Sequence, residues 1–270
     1  EELMLLTAGC SFVWGDELEG FDNDPPTNSK HTFTHILAEK MGVNYVNLGI
    51  CDAGNDQIFR RVTDYLHNNP DQHITHMVVL WSAWQRKEWV EYQPPERDVK
   101  VSRELNVTQF SSLRTQNLYT KKIKKSFDDW YERCYDSRTD IMHTFSKMKA
   151  IEMLCESRGI KLIQGTFHKR NWSNIMAILS DAEVAEGVPV HPDMQIDKVP
   201  EYKEWLVSSL GQLKSTSRVG MGKKAPMTDL YTLGVENNDI KKFGHPGEKT
   251  NLKYANLLFE AFTKIENGEL

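Results

Sequence analysis

Four short apolar runs alternate with amphipathic segments along this chain, and that alternation restricts the folds open to it. Leu3-Met4-Leu5-Leu6-Thr7-Ala8 stops at Gly9 and Tyr45-Val46-Asn47-Leu48 stops at Gly49; residues 76–81 and 160–165 complete the set. Continuous apolar runs of this length predict strands buried on both faces. Between and after them, apolar residues recur at helical spacing. The pattern covers 31–41 (Phe33, Ile36, Leu37, Met41), 56–66 (Ile58, Phe59, Val62, Tyr65, Leu66), 141–157 (Phe145, Met148, Ile151, Leu154) and 250–265 (Leu252, Tyr254, Ala255, Leu258, Phe259, Phe262). Gly42 and Gly159 fit helix C-caps, and Gly54-Asn55-Asp56 marks a helix start.

Strands that alternate with helices predict an α/β domain with a parallel sheet covered on both faces. Ligands of such sheets bind at the carboxyl ends of the strands. The loops expected to converge there carry Ser11, Gly54, Ser82 and His168. Two stretches break the alternation, about 85–135 and 169–240. They are read as insertions over the site within a single domain of residues 1–270.

Composition narrows the function classes. Among 270 residues the formal charge is -5, so no overall basic field exists to neutralise phosphates, and nucleic acid is not an expected partner. The run Lys121-Lys122-Ile123-Lys124-Lys125 reads as a solvated helix face. No stretch reaches the roughly 18 apolar residues of a membrane span. No basic segment precedes the first apolar run, so no signal peptide is visible. A cytoplasmic or virus-encoded soluble protein is the expectation, and the oligomeric state is open. Cys10, Cys51, Cys134 and Cys155 lie far apart with no CxxC pair, which predicts neither a metal cluster nor a dense disulfide framework. His31 and His35 share a helical face at i, i+4, but no third ligand accompanies them in a motif. No metal and no cofactor are expected.

Ser11 is the residue on which chemistry centres. It follows a buried strand on the turn Gly9-Cys10-Ser11-Phe12. Such a turn lifts a hydroxyl above the sheet edge and points backbone amides into the same space. Serine needs a base to accept its proton, and histidine is the usual one near neutral pH. His245, in Phe243-Gly244-His245-Pro246-Gly247 before the last helix, sits in a loop that can return to the first strand. Taken singly, Ser11 reads more readily as a helix cap or turn former and Gly54 equally as a turn glycine, while His245 could be a loop residue; their order along the chain favours a common site.

Three blocks together carry a family resemblance. Gly9-Cys10-Ser11-Phe12-Val13-Trp14-Gly15-Asp16 resembles the first block of the SGNH (GDSL-like) hydrolases, particularly phage-encoded or bacterial variants with a Gly-Cys-Ser-Phe start. Residues 46–56 resemble the second block, and Gly244-His245-Pro246 the last. The resemblance covers the two ends and the four strands, not the insertions. It implies a three-layer α/β/α flavodoxin-like fold and acyl transfer to water. Ser11 would be the nucleophile, His245 the base, and the amides of Ser11 and Gly54 the oxyanion donors. Small acyl esters or acetylated glycans are the implied substrates.

Two departures from that pattern stand out. The family's third block ends in an asparagine that donates to the oxyanion, whereas here the strand runs Leu80-Trp81-Ser82-Ala83-Trp84-Gln85-Arg86. Ser82 and Gln85 are the candidate substitutes; losing one such donor costs roughly 2.7–4 kcal/mol of barrier. Trp84, Arg86 and the neighbouring Trp81 and Trp89 are candidate substrate contacts, with aromatic faces suited to sugars; core packing, or an Arg86–Glu88 ion pair, accounts for them equally well. The family also places an acid three residues before the histidine, and Lys242 stands there. Asp239 is the candidate acid, with a backbone carbonyl as the other option. The leading function is therefore an esterase or deacetylase. The contrasting one is a catalytically silent binding module of the same fold that recognises a glycan or a protein. A nucleotide-binding domain fits poorly, since the first turn lacks Gly-x-Gly-x-x-Gly spacing.

Overall fold

The computed structural model describes residues 2–18, 30–83, 86–91, 106–110, 137–167, 204–205, 208, 218–219 and 229–269. Trp84, Gln85 and His168 lie outside them. The central sheet is parallel throughout. Its strands are β1 (Met4–Gly9), β2 (Asn44–Asn47), β3 (Ile74–Trp81), β6 (Lys161–Thr166) and the two-residue β7 (Arg218–Val219), in the spatial order β2-β1-β3-β6-β7. Taken in chain order within the sheet, this is the 2-1-3-4-5 arrangement of flavodoxin-like folds. A separate antiparallel pair, β4 (Lys87–Glu91) and β5 (Asn106–Phe110), falls within 85–135, and β7 falls within 169–240.

The apolar runs are strands for the reason their composition implies. Every residue of β1 after Met4 is buried, as is nearly all of β3, because helices cover both faces. One layer comprises α2 (Phe33–Met41) and α6 (Glu248–Glu266), which pack on each other; the other comprises α3 (Asn55–Asn68) and α4 (Ser137–Ser157). Two short helices, α1 (Ser11–Trp14) and α5 (Leu230–Glu236), flank the carboxyl edge of the sheet. The core runs through both layers, with Leu5, Leu6, Met77, Val79 and Ile163 between Phe33, Leu37 and Tyr254 on α2 and α6 and Ile58, Val62 and Met148 on α3 and α4. Among the described residues no helix is long and apolar enough to cross a membrane.

Helix ends follow local chemistry. The Thr32 hydroxyl accepts from His35 N, and Gly42 closes α2 in the left-handed conformation (φ 65°) that costs glycine least. Helix α6 begins at Gly247, which has no side chain to cap with. Asp239 supplies the cap from a distance: its Oδ2 accepts from Thr250 N at 2.7 Å.

Candidate active site

Ser11 is the first residue of α1, directly after β1 and Cys10. The helix lasts one turn. Gly15 ends it at φ 91°, and the N–H groups of Gly15 and Asp16 both reach the Ser11 carbonyl. Glu17 then adopts φ 66°, a conformation uncommon for a residue with a side chain and one that needs its surroundings to hold it. Buried Leu18 anchors the far side of this reversal. The double turn sends the Glu17 carboxylate back over the start of α1.

His245 arrives from the other end of the chain. A tight loop presents it: Lys241 N donates to the His245 carbonyl at 2.8 Å, Ile240 bridges to Pro246, and Gly244 takes φ 95°. Asn251 on α6 fastens the loop to α2, donating to the Pro246 and Gly247 carbonyls and accepting from Phe33 N.

Serine, histidine and glutamate form one line. His245 Nε2 lies 2.8 Å from Ser11 Oγ, and His245 Nδ1 lies 2.8 Å from Glu17 Oε2. A carboxylate only accepts, so Nδ1 carries the ring proton and Nε2 is left to accept from the serine hydroxyl. Glu17 also accepts from Phe243 N at 2.8 Å and from His245 N at 3.2 Å. Burial alone would push its carboxyl upward, but those backbone donors and the imidazole outweigh it and hold the group below the usual carboxylate range. Both Ser11 and His245 are buried, with 6% of their surface exposed. Asp16 brings a second carboxylate, its Oδ2 3.6 Å from His245 Nε2. Cys51 donates to Asp16, and its thiol is pushed up to about 12 by burial and by the charges of Asp16 and Asp52. It stays protonated and does not compete as a nucleophile.

The acid beside His245 is thus Glu17 and not Asp239. Asp239 is committed to the start of α6, with Thr250 N on one carboxylate oxygen and Gly247 packed so closely that a Cβ there would fall 2.1 Å from the other. It orients the loop of His245 only through the backbone, accepting Gly247 N at its carbonyl.

Gly54 caps the start of α3, and its Cα faces the backbone of Arg86: an added Cβ would lie 2.6 Å from the Arg86 carbonyl oxygen. Ser82 follows β3 and is fully buried. Asn55 holds it on both sides, accepting from Ser82 N at 2.7 Å and donating to the Ser82 carbonyl at 3.2 Å and to Thr144 Oγ1 at 3.1 Å. Asn55 is therefore a clamp between β3, α3 and α4 as well as a residue of the α3 start. The Ser82 hydroxyl is buried without a hydrogen-bond partner among the described residues. Arg86 lies with its guanidinium carbon 5.5 Å from the Phe167 ring centre; Phe167 packs at a tilt against Phe12, and Phe12 at a tilt against His245. Trp81 is wholly buried and donates to Gln164 Oε1, so its ring belongs to the core and is closed to a sugar. His35 pairs with Glu39 on the outside of α2, and no cluster of three or more metal-ligating side chains occurs among the described residues.

No protein-family profile and no curated protein sequence matches the chain. Solved structures do. One is a psychrotrophic esterase from Pseudoalteromonas sp. inhibited by monoethylphosphonate, at 10% identity and TM-score 0.47, covering 98% of each chain. Another is a member of the lipolytic protein G-D-S-L family from Veillonella parvula DSM 2008, at 13% identity and TM-score 0.44, covering 97% of this chain and 99% of that one. The chain is similar to solved hydrolases of the G-D-S-L type.

Proposed function

We propose that this chain is a serine hydrolase of the SGNH type that cleaves carboxylic esters, with Ser11 as nucleophile, His245 as general base and Glu17 as the acid that orients it. The observation that carries this reading is the unbroken line from Ser11 Oγ through both ring nitrogens of His245 to Glu17, at 2.8 Å on each side. Nucleophile, base and orienting acid within hydrogen-bond reach are the signature of activated serine. A binding module would have no use for a buried serine whose proton is already directed at a base. An acetyl ester on a carbohydrate remains the candidate natural substrate.

Each step uses a group already in place. Ser11 Oγ attacks the ester carbonyl as its proton passes to His245 Nε2. The imidazolium that forms faces Glu17 at Nδ1 and Asp16 near Nε2, and both charges stabilise it. The carbonyl oxygen gains negative charge, and the N–H groups of Ser11 and Gly54, at helix starts with no intrahelical acceptor, are the candidate donors to it. His245 then protonates the departing alkoxide, and the acyl-serine is hydrolysed by water activated at the same nitrogen. A positioned base of this kind contributes about 100- to 10,000-fold to the rate.

Turnover of 4-nitrophenyl acetate tests the reading. The wild-type protein should hydrolyse it and Ser11→Ala should not; equal rates in the two proteins would end the hydrolase reading.

A further inference from the structure

We propose that this site takes esters bearing a second, anionic group, a carboxylate or a phosphate, and that Arg86 is the residue that receives it; the inference rests on the hydrolase reading above. Arg86 sits on the turn that leaves β3, where its own N–H closes onto the Ala83 carbonyl at 3.1 Å. Its backbone packs against Gly54, a candidate oxyanion donor. Its guanidinium lies over Phe167, which with Phe12 forms an aromatic wall running to the His245 ring. The cation and the nucleophile thus flank the same wall, and Phe12 is the residue next to Ser11.

Among the described residues nothing balances the guanidinium. Its Nη1 is buried and has no hydrogen-bond partner, and among the described residues no carboxylate pairs with it. The two carboxylates nearest the reacting groups, Asp16 and Glu17, are committed to Cys51, to His245 and to the Phe243 backbone. An arginine cannot discharge itself by losing a proton. Arg86 as a whole is only partly buried, but a buried donor on a cation left without an acceptor is costly and calls for an explanation. Its planar array of donors matches a carboxylate or phosphate. The chain is acidic overall at -5, so the surrounding field gives an anion no general welcome, and an anionic substrate needs a dedicated cation. The Ser82 hydroxyl, just before that turn, is a second buried polar group with no partner among the described residues.

The experiment measures kcat/KM on matched esters. 4-Nitrophenyl hemiglutarate against 4-nitrophenyl butyrate places the anion on the acyl side; 4-acetoxybenzoate and 4-acetoxyphenyl phosphate against phenyl acetate place a carboxylate or a phosphate on the alcohol side. The inference expects the wild-type protein to favour at least one anionic ester by about tenfold or more, the scale of a charge-assisted hydrogen bond. In Arg86→Met that ratio should collapse towards one, and in Arg86→Lys part of it should survive. The wild-type preference should also weaken between low and high salt, a readout independent of any variant's folding. Ratios near one in the wild-type protein, or a preference unchanged in Arg86→Met, would overturn the inference. Labelling with a fluorophosphonate separates the two readings: Ser11 labelled with no anionic ester favoured defeats only the role of Arg86, whereas Ser11 unlabelled and no ester cleaved defeats the hydrolase reading and this inference with it.

Discussion

Glu17 and His245 are joined twice, by a 2.8 Å contact between carboxylate and Nδ1 and by the His245 N–H on the same oxygen, while the neighbouring Phe243 N–H donates to the other oxygen. One acid therefore fixes the ring and the loop that carries it. The Ser11 turn supplies both nucleophile and acid, and the last loop supplies only the base. That arrangement separates the contributions of Glu17 and Asp239. Glu17→Gln keeps the shape but not the charge, and kcat for ester hydrolysis should fall by about 100-fold or more. Asp239→Ala should leave chemistry largely intact and lower stability by about 1–2 kcal/mol, the scale of a lost helix cap. Steady-state kinetics and thermal melts of the two variants check this; a kcat loss confined to Asp239→Ala would reverse the assignment.

Stability should follow the ionisation of Glu17. Its folded carboxyl is held below the ordinary value of 4.5, so the unfolded chain binds its proton first as the pH falls. The stabilisation is present above pH 4.5, erodes as the pH drops below it, and is gone once the pH passes the folded value. Melting temperatures of wild type and Glu17→Gln should differ near neutral pH and converge in acid. A gap that stays constant down to pH 3 would contradict this.

His76, at the opposite end of the sheet, acts in the same sense but in a higher pH window. Burial presses its ring below 6.5, against the pull of Glu266 at 3.1 Å, while Lys161 adds to the depression. The unfolded chain therefore takes up the proton first, and stability should fall as the pH drops from about 6.5 towards the folded value. The Tm of wild type should decline over that range more steeply than that of His76→Gln, measured by calorimetry. Parallel declines would remove His76 as the source.

The Asn55 clamp predicts a stability loss rather than a catalytic one. Asn55→Ala would leave Ser82 N–H buried without an acceptor, and an unsatisfied buried donor costs about 1–3 kcal/mol. Denaturant unfolding should show a lower midpoint of that size. No change in midpoint would mean that the strand end repacks freely.

Strand, helix and turn were legible in the sequence wherever one local signal decided them. The β1 run ending at Gly9 and the α3 stripe of Ile58, Val62 and Leu66 have no alternative use for their apolar faces. Ser11 and His245 could be paired because each stands beside such an element. Glu17 could not: its role depends on two left-handed residues, Gly15 and Glu17, on either side of Asp16, and nothing in Gly15-Asp16-Glu17-Leu18 states that the chain doubles back. Asp239 was the candidate because it lies near His245 in sequence, but a side-chain-free cap at Gly247 leaves the α6 amides open, and they take its carboxylate first. Asn55 reads as a simple helix start because its second partner, Ser82, is 27 residues away. The short β7 and the β4–β5 pair lie in the two stretches where periodicity is weakest.

The most direct measurement is the mass of the protein after reaction with a fluorophosphonate, followed by peptide mapping. A single adduct on Ser11, lost in Ser11→Ala and slowed at least 100-fold in His245→Ala, is the expected result. An unmodified Ser11 under conditions that label a known serine hydrolase would contradict the central claim that His245 and Glu17 activate it.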